Sequence, residues 1–177
     1  DTYGGFGNFF VTSDGESTTT FNYDMRQNGT TVSSFPDTST TSITVQHNVG
    51  WNIVGLPLQV EDASQTNLFP NSVGGTLYGF DGSYYNAEEL INGNGYWLYF
   101  NEQGEVEIEG MNVEQITISL TQGWNLISGI TLPVNLETID DPGDILVAGT
   151  IYGFDGSYFN PAFLTPGMGY WAYASSS

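Results

Sequence analysis

The chain contains no cysteine and no lysine, and Arg26 and His47 are its sole arginine and histidine. The first absence excludes disulfides, thiolate metal sites and cysteine nucleophiles. The others leave little for covalent or acid–base catalysis: there is no Ser-His-Asp pattern, and the carboxylates have almost no basic partners. Twenty acidic residues against a single base give a net charge of −19. Such a surface repels phosphate backbones and anionic lipid headgroups, so nucleic acid is not an expected partner. No apolar run reaches membrane-spanning length, and no glycine-rich phosphate loop opens a helix. The expectation is a chain without enzymatic activity or membrane insertion. Scarce bases also leave almost no site for trypsin-like proteases, which suits an extracellular or cell-surface life. The chain opens at Asp1 with no signal peptide in view and reads as a mature or trimmed product.

What is present is aromatic and repetitive. Of 177 residues, 39% are hydrophobic and 15% aromatic, enough to build a core. Gly50-Trp51-Asn52-Ile53-Val54 recurs as Gly123-Trp124-Asn125-Leu126-Ile127. Leu77-Tyr78-Gly79-Phe80-Asp81-Gly82-Ser83-Tyr84 recurs as Ile151-Tyr152-Gly153-Phe154-Asp155-Gly156-Ser157-Tyr158. Gly95-Tyr96-Trp97 recurs as Gly169-Tyr170-Trp171. Three separated matches in register mark an internal duplication. Short alternating runs punctuated by Gly, Asn and Asp point to an all-β fold. The expected architecture is two tandem, homologous, antiparallel sandwich-like modules plus an N-terminal strand or hairpin arm. Residues 1–42 are the arm and linker, 43–112 repeat one and 113–177 repeat two.

In the arm, Asn8–Ser13 is strand-like, and Asp14-Gly15 and Asn28-Gly29 between alternating runs are hairpin signals. Asn28-Gly29-Thr30 is also a glycosylation sequon, with the turn the preferred reading. In repeat one, Ile43, Val45 and His47 alternate with polar residues, and Ala87–Leu90 reads as a short helical turn. Glu105, Glu107 and Glu109 face outward and Val106 and Ile108 inward on a last strand, with charge guarding a potential edge. In repeat two, Ile116, Ile118 and Leu120 alternate in the same way, but nothing matches Glu105–Gly110. A missing strand leaves unpaired backbone groups and an apolar groove. The donor would be an N-terminal strand bearing Phe6, Phe9, Phe10 and Val11, from the same chain or from another copy. Donation between copies makes a head-to-tail contact and a filament.

The doubled Gly-Trp-Asn, Tyr-x-Phe-Asp-Gly-x-Tyr and Gly-x-Gly-Tyr-Trp pattern, with Leu68-Phe69-Pro70, resembles a module of secreted and cell-surface proteins of Bacteroidetes and related bacteria. That module often lies just before a type IX secretion sorting domain. The resemblance covers residues 43–174 and implies export and a surface setting, but no activity and no site residues. The pattern departs from that family at its end, where a final strand and a sorting domain are absent.

The candidate sites are few. Trp51, Trp97, Trp124 and Trp171 are expected in the core, with a sugar platform as the alternative. Tyr84, Tyr85, Tyr158 and Phe159 follow the Asp-Gly turns, where alternation sends one of each pair outward. They are candidates to stack on a glycan or on another copy of the chain. Asp140, Asp141 and Asp144 are candidate calcium ligands in a loop otherwise read as solvated. No other cofactor is expected. Glu88 and Glu89 are adjacent and diverge, so they do not make a facing acid–base pair. The leading functional expectation is an extracellular subunit that assembles by strand donation; the alternative is a carbohydrate-binding or adhesive surface module.

Overall fold

A computed structural model describes residues 25–27, 30–32 and 40–175. The chain divides into two compact units, Asp1–Thr38 and Ser39–Ser177. In the first, β1 (Met25–Gln27) pairs antiparallel with β2 (Thr30–Val32), with Gln27 opposite Thr30. The proposed donor stretch with Phe6, Phe9, Phe10 and Val11 lies outside the described residues.

The second unit is almost wholly β, as expected. It opens on β3 (Thr40–His47), β4 (Gly50–Gly55) and β5 (Leu58–Gln59). After one helical turn, α1 (Gln65–Leu68), come β6 (Tyr78–Phe80), β7 (Tyr84–Asn86), β8 (Gly95–Phe100) and β9 (Gly104–Asn112). The helical turn expected at Ala87–Leu90 is not formed. That segment instead runs alongside the loop after β5, where the Gln65 and Leu90 amides donate to the Glu88 and Ala63 carbonyls. Two sheets, β3-β9-β5 and β4-β8-β6-β7, face each other. Their inner faces supply Val45, Val106 and Ile108 from one side and Val54, Tyr96, Leu98 and Phe100 from the other, sealed by Leu58, Phe69 and Leu77. On β9 the pattern is as read: Val106 and Ile108 are buried and the three glutamates exposed. The strand is not an edge, however. It lies between β3 and β5, and its glutamates bond across the strand, Glu107 accepting from Ser42 and Glu105 from Gln46.

The remaining strands are β10 (Gly123–Ser128), β11 (Val134–Asn135), β12 (Gly153–Phe154), β13 (Tyr158–Phe159), β14 (Phe163–Leu164) and β15 (Gly169–Ala174). The β10–β15 register, Gly123↔Ala174 to Ser128↔Gly169, matches the β4–β8 register, Gly50↔Phe100 to Gly55↔Gly95. Ile116–Leu120, expected as a strand, is not one. Its apolar residues do alternate inward, but no described strand lies beside it, so no ladder forms.

Contacts between the two sets of strands come in reciprocal pairs. The Gly55 amide donates to the Gly167 carbonyl at 3.0 Å, and the Ser128 amide to the Gly93 carbonyl at 2.9 Å. Bridges join Val54 to Met168 and Ile127 to Asn94. Residue i of one half meets j of the other, and j meets i, as across a two-fold axis. Ile53, Leu126 and Trp171 are buried at this junction.

His47 is 6% exposed and stacks on Phe100 with centroids 3.7 Å apart. Neither ring nitrogen has a hydrogen-bond partner among the described residues. Burial lowers its pKa from 6.5, and the nearby Glu102 backbone offsets only part of that. The neutral ring therefore contributes its full stability above pH 6.5. Stability falls as the pH drops from there towards the folded pKa, because the unfolded chain takes up the proton first. Leu120 occupies the matching place in the other half. His47→Leu should flatten this part of the stability–pH curve, below pH 6.5, relative to the wild type. At pH 7 it should raise stability by roughly 1 kcal/mol by removing unpaired buried nitrogens. Denaturant titrations at several pH values measure both.

Candidate functional site

The Gly-Trp-Asn motif is a loop lock that aims a tryptophan. Gly50 and Gly123 have φ of 91° and 103°, a region open to glycine, and turn the chain sharply into β4 and β10. Two residues on, the Asn52 Oδ1 accepts from the Asn48 amide at 2.9 Å, and its Nδ2 donates to the Asn48 and Gly50 carbonyls. Asn125 repeats these bonds with Thr121 and Gly123. With the asparagine fixed inward, strand alternation sends the tryptophan between it and the glycine to the opposite face.

Gly-Tyr-Trp works by the same parity. Tyr96 and Tyr170 are buried, and their hydroxyls accept from the Ile91 amide at 3.2 Å and the Thr165 amide at 2.8 Å. Burial raises the Tyr96 pKa. Trp97 and Trp171 therefore face the same side as Trp51 and Trp124. In Tyr-Gly-Phe, Tyr78 and Phe80 share that side. Gly79 lies under the Tyr85 ring and Gly153 under the Phe159 ring, where any Cβ would overlap the aromatic.

The outcome is two pockets of about 510 and about 590 Å3. Trp51, Tyr78, Tyr84, Trp97 and Phe154 line the first. Trp124, Tyr152, Tyr158, Trp171 and Phe80 line the second. Each takes four aromatics from its own half and one phenylalanine from the other. Phe154 stands edge-on to Trp97 and Phe80 edge-on to Trp171, both with centroids 5.0 Å apart. The rings within each pocket are steeply inclined to one another. Trp51 and Trp97 are 88° apart, Trp124 and Trp171 83°, and Tyr99 and Tyr173 brace the outer tryptophans at 76°. Perpendicular walls show ring faces to the enclosed space. The pockets adjoin: Tyr84 of one is 6.4 Å from Trp171 of the other, by ring centroids.

The expectation that the tryptophans are core residues is therefore corrected. Trp51 and Trp124 are 42% and 43% exposed, and Trp97 is half-buried. Only Trp171 is buried, and it too lines a pocket. Tyr84 and Tyr158 lie where a ligand would meet them, 57% and 58% exposed. Tyr85 and Phe159 cover glycines instead and line neither aromatic pocket. Sequence reasoning passed over Tyr78, Phe80, Tyr152 and Phe154. Their signal was the alternation in Tyr-Gly-Phe, in which the two large residues share a side.

The calcium candidates are not gathered into a site. Asp141 spends its Oδ1 on the Ile145 amide and its Oδ2 on the Leu146 amide, at 3.2 and 2.8 Å. Asp144 has a φ of 48° and donates its amide to the Asp141 carbonyl. Asp140 joins neither of these interactions. Among the described residues, no group of three or more His, Asp or Glu side chains is placed to hold a metal ion.

Comparison of the chain with protein-family models, with curated proteins and with solved structures returns no match.

Asn52→Ala should destabilise the chain by about 2 kcal/mol, because the Asn48 amide and the Asn48 and Gly50 carbonyls of this part-buried turn lose their partner. Chemical denaturation reads the loss. Tryptophan fluorescence of the folded variant should shift as Trp51 loses its fixed pose.

Proposed function

We propose that this chain is an extracellular or cell-surface binding module whose two aromatic pockets take sugar rings of a neutral glycan. The observation that carries the reading is the pair of pockets, each lined wholly by aromatic side chains and open to solvent. Large exposed aromatics grouped in one concavity mark an interaction site rather than a random surface. A pyranose ring with equatorial substituents has apolar C–H faces that lie flat on an indole or phenol ring. The tyrosine hydroxyls of Tyr78, Tyr84, Tyr152 and Tyr158 supply polar partners at the walls.

Charge narrows the ligand further. At −19, with one arginine and no lysine, the chain repels sulfated or uronic polysaccharides and favours uncharged ones. No carboxylate or histidine lines either aromatic pocket, so the walls offer a platform for binding and no acid–base pair for cleavage. The scarcity of protease-sensitive basic residues and the resemblance to secreted surface modules support the extracellular setting.

The test uses cellohexaose and chitohexaose in solution and their insoluble polymers in pull-downs. Trp51→Ala and Trp124→Ala should each weaken binding about thirtyfold at the pocket concerned, the loss of a tryptophan hot spot of about 2 kcal/mol. The double variant should not bind. Both indoles are surface-exposed, so circular dichroism should report an intact fold. Failure of the wild type to bind any neutral glycan on an array, with tryptophan emission unchanged by each, would sink the reading. Binding of tetramethylammonium instead would reassign the pockets to cation–π recognition.

A further inference from the structure

We propose that residues 113–121 accept an added β-strand from a second copy of this chain, supplied by its N-terminal stretch Phe6–Ser13, in the place that β9 takes on β3. This inference is independent of the aromatic pockets.

The acceptor is defined by comparing two segments. Ile43, Val45 and His47 on β3 match Ile116, Ile118 and Leu120. Both segments pack against the opposite half at equivalent points: a Cβ on Gly167 would overlap Val45, and one on Gly93 would crowd Ile116 and Ile118. Val45 and His47 are 3% and 6% exposed because β9 lies alongside. Ile118 and Leu120, with no described strand alongside, are only half-buried. They sit on a cluster whose outer members, Val134, Leu136, Ile139 and Leu146, are also half-buried.

The backbone shows the same gap. The segment is pinned at its ends. Near one, the Val113 amide donates to the Thr131 Oγ1 at 2.7 Å; at the other, the Thr121 amide donates to the Asn125 Oδ1 at 2.9 Å. Between them, residues 114–120 make no backbone hydrogen bond among the described residues. An extended chain held at both ends, with one face on a core and an open edge, is a template for a further strand. Beside it, Leu132 is 71% exposed, next to Thr131 at the mouth of the gap.

The template specifies its occupant. On β9 the inward residues Val106 and Ile108 stand two apart, and the strand runs antiparallel from Gly104 to Asn112. Phe9 and Val11 have that spacing within Phe6–Ser13, a stretch without a charged residue. In a chain of net charge −19, an uncharged strand is the part that can approach another copy at least electrostatic cost. Among the described residues, none forms a strand ladder with 113–121. The covering strand is assigned to another copy, and the experiment separates this from insertion within one chain. Donor and acceptor are separate segments of one chain, so each contact between copies leaves one of each free and the assembly grows as an open filament.

The experiment uses the full 177-residue chain. Wild-type protein should show mass rising with concentration in light scattering, and filaments by electron microscopy. Phe9→Asp with Val11→Asp, changes outside the acceptor unit, should give monomers of unchanged fold. A peptide of residues 6–13 should cap the wild type into monomers and bind the double variant one to one. It should protect amides 114–120 from hydrogen exchange at least tenfold. Wild-type monomers, or filaments that survive the double substitution and ignore the peptide, would overturn the proposal. So would protection of 114–120 in a wild-type monomer, which would place the strand within its own chain. An acceptor that only residues beyond 177 can cover, as in a longer polypeptide, would overturn it as well.

Discussion

The structure depends on one reciprocal contact: Phe80 on Trp171 and Phe154 on Trp97. A β-sheet has two faces, and one facing sheet covers only one of them. In the first half the β3-β9-β5 sheet covers the inner face of β4-β8-β6-β7, leaving Trp51, Ile53, Tyr78, Phe80 and Trp97 on the outer face. The second half has the same surplus. Each half covers part of the other's outer face with a phenylalanine carried at the end of a hairpin. Each such edge-to-face pair adds about 0.5–1.5 kcal/mol beyond area burial. The junction and the pockets are thus one feature: the phenylalanine that closes the junction is also the fifth wall of the neighbouring pocket.

This sharing explains why the motifs contain the residues they do. In Gly-Trp-Asn, the glycine permits the turn, the asparagine fastens it inward, and the tryptophan between them is forced outward. In Gly-Tyr-Trp, the tyrosine is buried and its hydroxyl holds a loop amide, so the next residue again points outward. In Tyr-Gly-Phe, the glycine accommodates the aromatic of the facing strand, and its neighbours go to the pocket side. Three unrelated local devices place their large aromatics on one face.

The all-β class, the turns and the alternation of β9 were legible because polar and apolar residues separate cleanly there. The register of the duplicated motifs was legible too. The role of the tryptophans was not. Gly-Trp-Asn-Ile-Val and Gly-Tyr-Trp-Leu-Tyr-Phe read as apolar runs, because both faces of these strands carry apolar or aromatic side chains. Period-two reasoning loses its contrast when the second face meets a neighbouring module rather than water. Asn52 held the clue to parity, since a side chain that bonds back to its own loop must point away from the tryptophan beside it. Which member of each pair would line a pocket was not legible: spacing cannot reveal that a glycine across the strand will take the ring of Tyr85 or Phe159.

The two halves are equivalent towards each other and unequal away from each other. Across the axis, the pocket rings, the amide–carbonyl pairs and the Asn locks all recur within a few tenths of an ångström or a few degrees. On the far side, His47 and Val45 are sealed by β9, whereas Leu120 and Ile118 are half-covered. Symmetry is kept where each half is the other's packing partner, because a change on one side needs a matching change on the other. Away from the axis no such reciprocity acts: β9 covers β3, and no described strand covers residues 116–120. Under the proposed readings, a strand-linked array would repeat the pocket pair along its length. Weak individual sugar contacts would then gain from effective concentration rather than from any tighter single site.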